Sequence, residues 1–405
     1  MSKNWELTTL GKAYDVRDGT HDSPKYHDTG YPLITSKNLK NGSLTYTKIK
    51  YISEMDYQNI NKRSKVDIGD ILFAMIGTIG NPVVIKEEPK FAIKNVALFK
   101  VDVLNDSSFL KYYLESEYVV NRMRKEAKGT TQKFVGLGYL RNFPILLPQK
   151  EEQKQIVQIL DKTFESIEQS KVNIEKNIEN IKELFESRLT EIFSQKGDDW
   201  EDKKLEELSN KKKAIVSGPF GSNLKVADYR DSGVPILRLQ NVGKGYFIEK
   251  DIKYIEKEKA EELKSHSYVV GDIVLAKLGI PIGKTCIIPD TFNDGIILAD
   301  IVRIRPDKKI VNYKYLEYFL NTELSVSQLT KEISGATRPR VNLSNVRSII
   351  VPIPSLKTQN KLIIEIDKLS EETNQLEKQY QQKLKNLEEL KKSILEKAFS
   401  GELLK

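Results

Sequence analysis

Several stretches of the chain have residue types and spacing that could support chemistry. Phe134-Val135-Gly136-Leu137-Gly138 fits Phe-x-Gly-x-Gly, a pattern that methyltransferases use for S-adenosylmethionine. No strong strand leads into it and no Asn/Asp-Pro-Pro-aromatic motif accompanies it, so a glycine-bearing turn is the simpler reading. Pro289-Asp290 followed by Asp307-Lys308-Lys309 loosely fits the acids and lysine of a metal-dependent nuclease, but the first half of the chain has no counterpart. Gly283-Lys284-Thr285 ends as a phosphate-cradling loop ends, yet the position five before Gly283 is Leu278 rather than glycine. His21, His27, His266 and the single Cys286 build no recognisable zinc site, and the lone cysteine excludes a disulfide framework and suits a reducing cytosol. The expectation is a chain with no active site, no metal and no cofactor of its own.

A second class of residue suits the edges of bases. Lys37-Asn38, Gln132-Lys133, Gln240-Asn241 and Arg338-Pro339-Arg340 fall near strand ends or in loops, and Ser222 and Lys225 join them as candidate DNA contacts. Arginine and lysine reach guanine acceptors, and asparagine and glutamine pair with adenine. The chain carries a net charge of +8 with a pI near 9.0. The excess lies outside the helical segments: residues 1–148 hold 22 basic and 16 acidic side chains, and 197–354 hold 25 and 22. A mild basic excess is compatible with a polyanion partner, although a lysine-favouring genome produces the same balance.

These residues are placed by a chain that repeats itself. Gly129-Thr130-Thr131 aligns with Gly335-Ala336-Thr337, Gln153 with Gln359, and Ser187, Leu189 and Phe193 with Ser393, Leu395 and Phe399, all at an offset of 206. The layout predicts a globular part at 1–148, a helix at 149–196, a second globular part at 197–354 and a second helix at 355–405. Glu151–Ser194 and Lys357–Ser400 lack proline and glycine and carry apolar residues at alternating three and four spacing. Ile167, Ile174, Ile178 and Ile181 form the centre of one stripe, with lapses at Lys171 and Arg188. Leu376, Tyr380, Leu384 and Leu387 form the other, with a lapse at Thr373. A lone polar helix of this length is marginal in water, so each needs a partner. Chain direction favours an antiparallel pair; separate packing of each helix on its own domain is the alternative.

The globular parts read as strand-rich, giving an α+β fold with two pseudo-symmetric mixed α/β domains. Gly69-Asp70 and Gly271-Asp272 each precede a β-branched apolar run, predicting a turn and then a buried strand. Runs at 31–35 and 234–238, and at 91–101 and 296–304, predict two further matched strands. A short helix follows at 109–117 and at 313–323. No apolar run approaches membrane-spanning length and no secretory segment opens the chain, so no membrane partner is expected and the location is expected to be cytoplasmic.

With these motifs in order, the chain closely resembles the specificity subunit of Type I restriction–modification systems. The resemblance rests on Asp18-Gly19-Thr20-His21, Pro32-Leu33-Ile34-Thr35-Ser36-Lys37-Asn38-Leu39, Ser217-Gly218-Pro219-Phe220-Gly221-Ser222, Gly69-Asp70-Ile71-Leu72, Ser334-Gly335-Ala336-Thr337-Arg338 and the Pro-x-Pro-x4-Gln run ending at Gln359. The first copy departs from that last run, because Leu146 replaces its first proline. The resemblance implies two target recognition domains, each reading half of a bipartite double-stranded DNA site, with an antiparallel coiled coil as spacer. It implies two modification subunits that carry S-adenosylmethionine and methylate adenine, and two restriction subunits that use ATP and magnesium. A nuclease or methyltransferase in its own right, and a stand-alone two-headed DNA-binding regulator or scaffold, are the competing classes.

Overall fold

A computed structural model describes residues 5–129, 133–219, 223–331 and 340–403. The chain divides into two compact units, one formed by Met1–Glu175 with Gln381–Lys405 and the other by Lys176–Tyr380. Each unit therefore takes part of both long helices, so the globular segments expected at 1–148 and 197–354 are each completed by helix from the other half of the sequence.

The first unit holds a four-stranded antiparallel sheet in the order Asp15–Asp18, Val96–Lys100, Ile71–Ala74, Gly80–Val84. The second repeats it with Ile215–Ser217, Ile301–Ile304, Ile273–Ala276 and Thr285–Ile287. The strands after the Gly-Asp turns are buried throughout, as their unbroken apolar runs require. The acid locks the turn. Asp70 Oδ2 accepts from Asp67 N at 2.7 Å, and Asp272 Oδ2 from Val269 N at 2.8 Å. Each carboxylate then meets a cation, Lys100 at 2.5 Å and Arg305 at 2.6 Å. A two-stranded ribbon closes each unit, Glu6–Thr9 with Pro144–Leu147 and Glu201–Lys204 with Ile350–Ile353.

A smaller sheet built on Tyr31–Ile34 or Val234–Leu237 includes one parallel pair in each unit, Leu33 with Ala92 and Ile236 with Ile296. Here the structure corrects the third expected strand. The run 91–101 splits into Ala92–Ile93 and Val96–Lys100, which lie in different sheets, because Asn95 takes a φ of 52° and turns the chain between them. Gly295–Ile297 and Ile301–Ile304 likewise lie in different sheets, without a left-handed residue between them. The short helix is present as Ser107–Glu115 and Tyr313–Leu320, and each is followed by a second helix, Glu117–Glu126 or Glu323–Thr330, that periodicity did not separate from it.

The long helices run Lys150–Ser194 and Leu356–Phe399. In the first unit Lys171 meets Glu388 at 2.6 Å and Glu168 meets Lys391 at 3.3 Å. One helix descends as the other climbs, which is antiparallel pairing. In the second unit Lys182 meets Glu377 at 2.9 Å and Asn177 Nδ2 lies 3.5 Å from the Tyr380 hydroxyl, in the same sense. Lys171, a lapse in the apolar stripe, thus supplies an ion pair. At the Arg188 lapse the seam steps to the buried Leu189. Ile167 and Ile178 are buried, and Ile174, Ile181, Tyr380, Leu384 and Leu387 are half-buried. Leu376 is not a seam residue: it is 44% exposed. The seam passes through Thr373, whose hydroxyl donates to Leu369 O at 2.7 Å, and Glu377. A step of four residues from Thr373 reaches Glu377 and leaves Leu376 about 100° around the helix.

The helices are fastened to the domains by side chains at the 206 offset. Buried Gln153 accepts from Asp106 N at 2.9 Å and donates to Pro148 O at 2.9 Å. Buried Gln359 accepts from Asn312 N at 2.8 Å and donates to Pro354 O at 2.9 Å. Tyr112 donates to Asp161, and Tyr318 to Asp367. At the far ends, Phe399 lies edge-on to Phe109 and Tyr113, and Phe193 to Tyr315 and Phe319. Each unit is capped by the start of one long helix and the end of the other.

Candidate nucleic-acid interface

The strand Tyr31–Ile34 leads into a short 3-10 turn at Ser36–Asn38, and Val234–Leu237 leads into one at Leu239–Asn241. The paired expectations Lys37-Asn38 and Gln240-Asn241 divide at these turns. Asn38 is 4% exposed and Asn241 is 0% exposed, so neither offers an edge to DNA. Asn38 Oδ1 accepts from Thr35 N and Thr35 Oγ1, both at 2.9 Å, while its Nδ2 donates to Thr45 O at 2.9 Å. Asn241 Oδ1 accepts from Arg238 N at 3.0 Å, and its Nδ2 donates to Ile248 O at 2.9 Å and Lys250 O at 3.0 Å. Both amides are consumed in closing a loop, which corrects their assignment as base contacts. The residue before each is exposed. The same locked turn therefore presents Lys37 in one unit and Gln240 in the other.

The turn after the first strand of each large sheet is the second shared feature. A Cβ on Gly19 would lie 2.2 Å from Ile93 O, and one on Gly218 2.1 Å from Leu298 C, so only glycine fits either close approach. Around it the two units differ. In the first, buried Asp18 accepts from Arg63, and His21 Nε2 lies 2.9 Å from its other oxygen. His21 Nδ1 faces Asn95 Oδ1 at 2.8 Å. In the second, Ser217 replaces Asp18 and lines a cleft of about 990 Å³ with Lys213, His266, Lys277, Arg340 and Asn342. Lys277 Nζ donates to Ser217 Oγ at 2.5 Å, and Arg340 meets Asp300 at 2.6 Å. Burial, reinforced by the nearby Arg340 and opposed by Asp300, holds the Lys277 ammonium below the ordinary lysine range.

Among the described sequence candidates, only Arg340 lines this cleft. Lys133 and Lys225 are exposed elsewhere, and Gln132, Ser222 and Arg338 lie outside the described residues. Lys277 was missed, although it is legible as the one charged residue in the apolar run 273–278. The other candidate chemistries do not assemble. Gly136 precedes a helix of only six residues, and an added Cβ there or at Gly138 meets nothing within 4 Å. Asp307 accepts from Lys309 N at 2.9 Å in a local turn. Cys286 is fully buried and its thiol is pushed up to about 12. Among the described residues no group of three His, Cys, Asp or Glu side chains is arranged to hold a metal ion, and no helix is long and apolar enough to cross a membrane.

Comparison with known proteins bears on this geometry. The family model of the Type I restriction modification DNA specificity domain matches residues 2–180 and again 186–386. The MjaVIII specificity subunit of Methanocaldococcus jannaschii is 24% identical over all of this chain and 94% of its own length. The EcoKI specificity subunit of Escherichia coli is 22% identical over 93% of this chain and 83% of its own. Among solved structures, the HsdS subunit from Thermoanaerobacter tengcongensis has a TM-score of 0.59 at 18% identity, covering 100% of this chain and 98% of that one. A chain from a study of complex assembly and conformational transition in the type I R-M system has a TM-score of 0.70 at 17% identity, covering 100% and 99%.

Proposed function

Because the chain belongs to the Type I restriction–modification DNA specificity family, we propose that its two units each read one half of a bipartite, asymmetric DNA site. The observation that carries this reading is one framework presenting different exposed side chains, Lys37 in one unit and Gln240 in the other, on the same locked 3-10 turn. Lysine donates to guanine acceptors, whereas glutamine pairs with adenine, so the two units suit different half-sites. The chain is a targeting subunit and not a catalyst. Adenine methylation falls to two modification subunits that bind S-adenosylmethionine, and cleavage to two restriction subunits that use ATP and magnesium. The antiparallel helices set the unread gap between half-sites.

The test is to co-express the chain with its modification subunit in a host lacking adenine methylation and to sequence the methylome. The expected result is one bipartite motif with two unlike halves. Exchanging residues 1–148 for the corresponding domain of a relative should change one half alone. Methylation without a bipartite motif, or a change in both halves, would overturn the reading.

A further inference from the structure

The two units repeat one backbone arrangement at the end of their central buried strand, and only one of them places a charge there. Val135 N donates to Met75 O at 3.0 Å, and Val341 N donates to Lys277 O at 3.0 Å. Met75 and Lys277 are thus equivalent positions, each directly after the strands Ile71–Ala74 and Ile273–Ala276. Met75 packs in the core of its unit. Lys277 is 8% exposed, and its own N–H donates to Asp300 O at 2.8 Å, so the stem is held at both backbone groups.

An ammonium has three donors. One goes to Ser217 Oγ at 2.5 Å, and Ser217 in turn donates to Ala299 O at 3.2 Å. No carboxylate among the described residues lies within ion-pair distance of Lys277 Nζ. Arg340 lowers its proton affinity and Asp300 opposes this, but Asp300 is already paired with Arg340 at 2.6 Å, and the exposed Lys213 lines the same cleft. A buried cation with a neutral partner and cationic neighbours is costly unless a ligand supplies negative charge. His266 adds no negative charge, since its Nδ1 must be the protonated nitrogen that donates to Ser217 O at 2.7 Å. In the first unit the facing position is Asp18, already neutralised by Arg63, and the central position is methionine.

We infer that the cleft of the second unit holds one backbone phosphate of the DNA duplex, with Lys277 as its central ligand and Arg340 and Lys213 at the rim, and that the first unit has no counterpart. A recessed ammonium with no carboxylate of the described residues within ion-pair distance suits an anionic oxygen better than a neutral base edge. The inference rests on the DNA-reading role proposed above, and the test separates the two.

The experiment compares wild type, Lys277→Met and Lys277→Arg in the full complex with the modification subunits, on a duplex carrying the methylome-defined site. If wild type directs no bipartite methylation, the DNA-reading role itself fails. Given that role, Lys277→Met should weaken binding by on the order of tenfold or more and flatten the salt dependence by about 0.9 in the log–log slope. The methylated bases should stay the same, and Lys277→Arg should restore the slope. Methionine already occupies the equivalent site in the first unit, so the melting temperature of the free chain should hold or rise. Inorganic phosphate should raise the melting temperature of wild type and not of Lys277→Met. An unchanged salt slope would overturn the inference. So would altered bases in the second half-site at unchanged slope, which would make Lys277 a base reader. A fall in melting temperature that arginine does not reverse would make it a structural residue.

Discussion

Replacing Phe193 by alanine should weaken the second unit, although Phe193 belongs to the first half of the sequence. The ring is 1% exposed and lies 5.2 Å from Tyr315 and 5.4 Å from Phe319, edge-on to both. Truncation removes the ring and leaves a cavity between the end of one long helix and Tyr313–Leu320. Such losses cost about 3–5 kcal/mol, of which the two edge contacts supply roughly 0.5–1.5 each. For a unit of this size, about 2–4 °C per kcal/mol applies, so its transition should fall by roughly 6–20 °C. Amide hydrogen exchange identifies which unit responds. Exchange should accelerate in Ile273–Ala276 and Ile301–Ile304 and stay unchanged in Ile71–Ala74 and Val96–Lys100. Phe399→Ala should do the reverse, with a smaller loss because Phe399 is half-buried. If Phe193→Ala instead loosened the first unit, the crossed capping of units by helix ends would be refuted.

The locked turns separate structural from presenting residues. Asn38→Ala or Asn241→Ala should each lower the melting temperature by several degrees, since a buried amide with at least three hydrogen bonds is lost, whereas Lys37→Ala and Gln240→Ala should leave it unchanged and each alter one half-site. Cys286 should resist thiol reagents at pH 8 in the native protein and react on unfolding, because burial pushes its thiol up to about 12; labelling of the folded chain would contradict this. Four residues inserted after Ser170 and four after Glu388, the positions that the Lys171–Glu388 pair sets opposite each other, should lengthen the unread gap by one or two base pairs, as one added turn of about 6 Å implies. The bases read within each half should not change, and a fixed gap with altered bases would refute the spacer role.

The helices and the repeat were legible in the sequence because their signals are periodic. Proline and glycine mark the ends of the helices, and the constant offset carries from Gln153 and Phe193 to Gln359 and Phe399. What stayed illegible was contact across the sequence. Nothing local says that Phe399 packs on Phe109, or that each unit borrows the end of the other half's helix. The stripe failed at Leu376, where a polar seam of Thr373 and Glu377 took the inner face and an apolar spacing alone could not show it. The strand run 91–101 failed because a left-handed Asn95 divides it, and asparagine gives only weak notice of that conformation.

Duplication is also informative. The matched asparagines Asn38 and Asn241 are among the residue types expected at base edges. The structure assigns the matched pairs to the framework: Asn38 and Asn241 close loops, Gln153 and Gln359 fasten helices, Tyr112 and Tyr318 hold Asp161 and Asp367, and Gly19 and Gly218 permit close approach. The physical reason is that identical geometry needs identical hydrogen bonds, so whatever builds both units must be the same in each. Two unlike half-sites need unlike side chains on that geometry. Candidates for reading or anchoring DNA are therefore side chains at equivalent positions whose residues differ, such as Lys37 and Gln240, or Ser217 and Lys277 where the first unit has the buried Asp18 and Met75. The first pair is exposed on a locked turn, and Ser217 and Lys277 line the cationic cleft of the second unit. Sequence alone could register that these pairs differ, but only the shared backbone contacts establish that they are pairs.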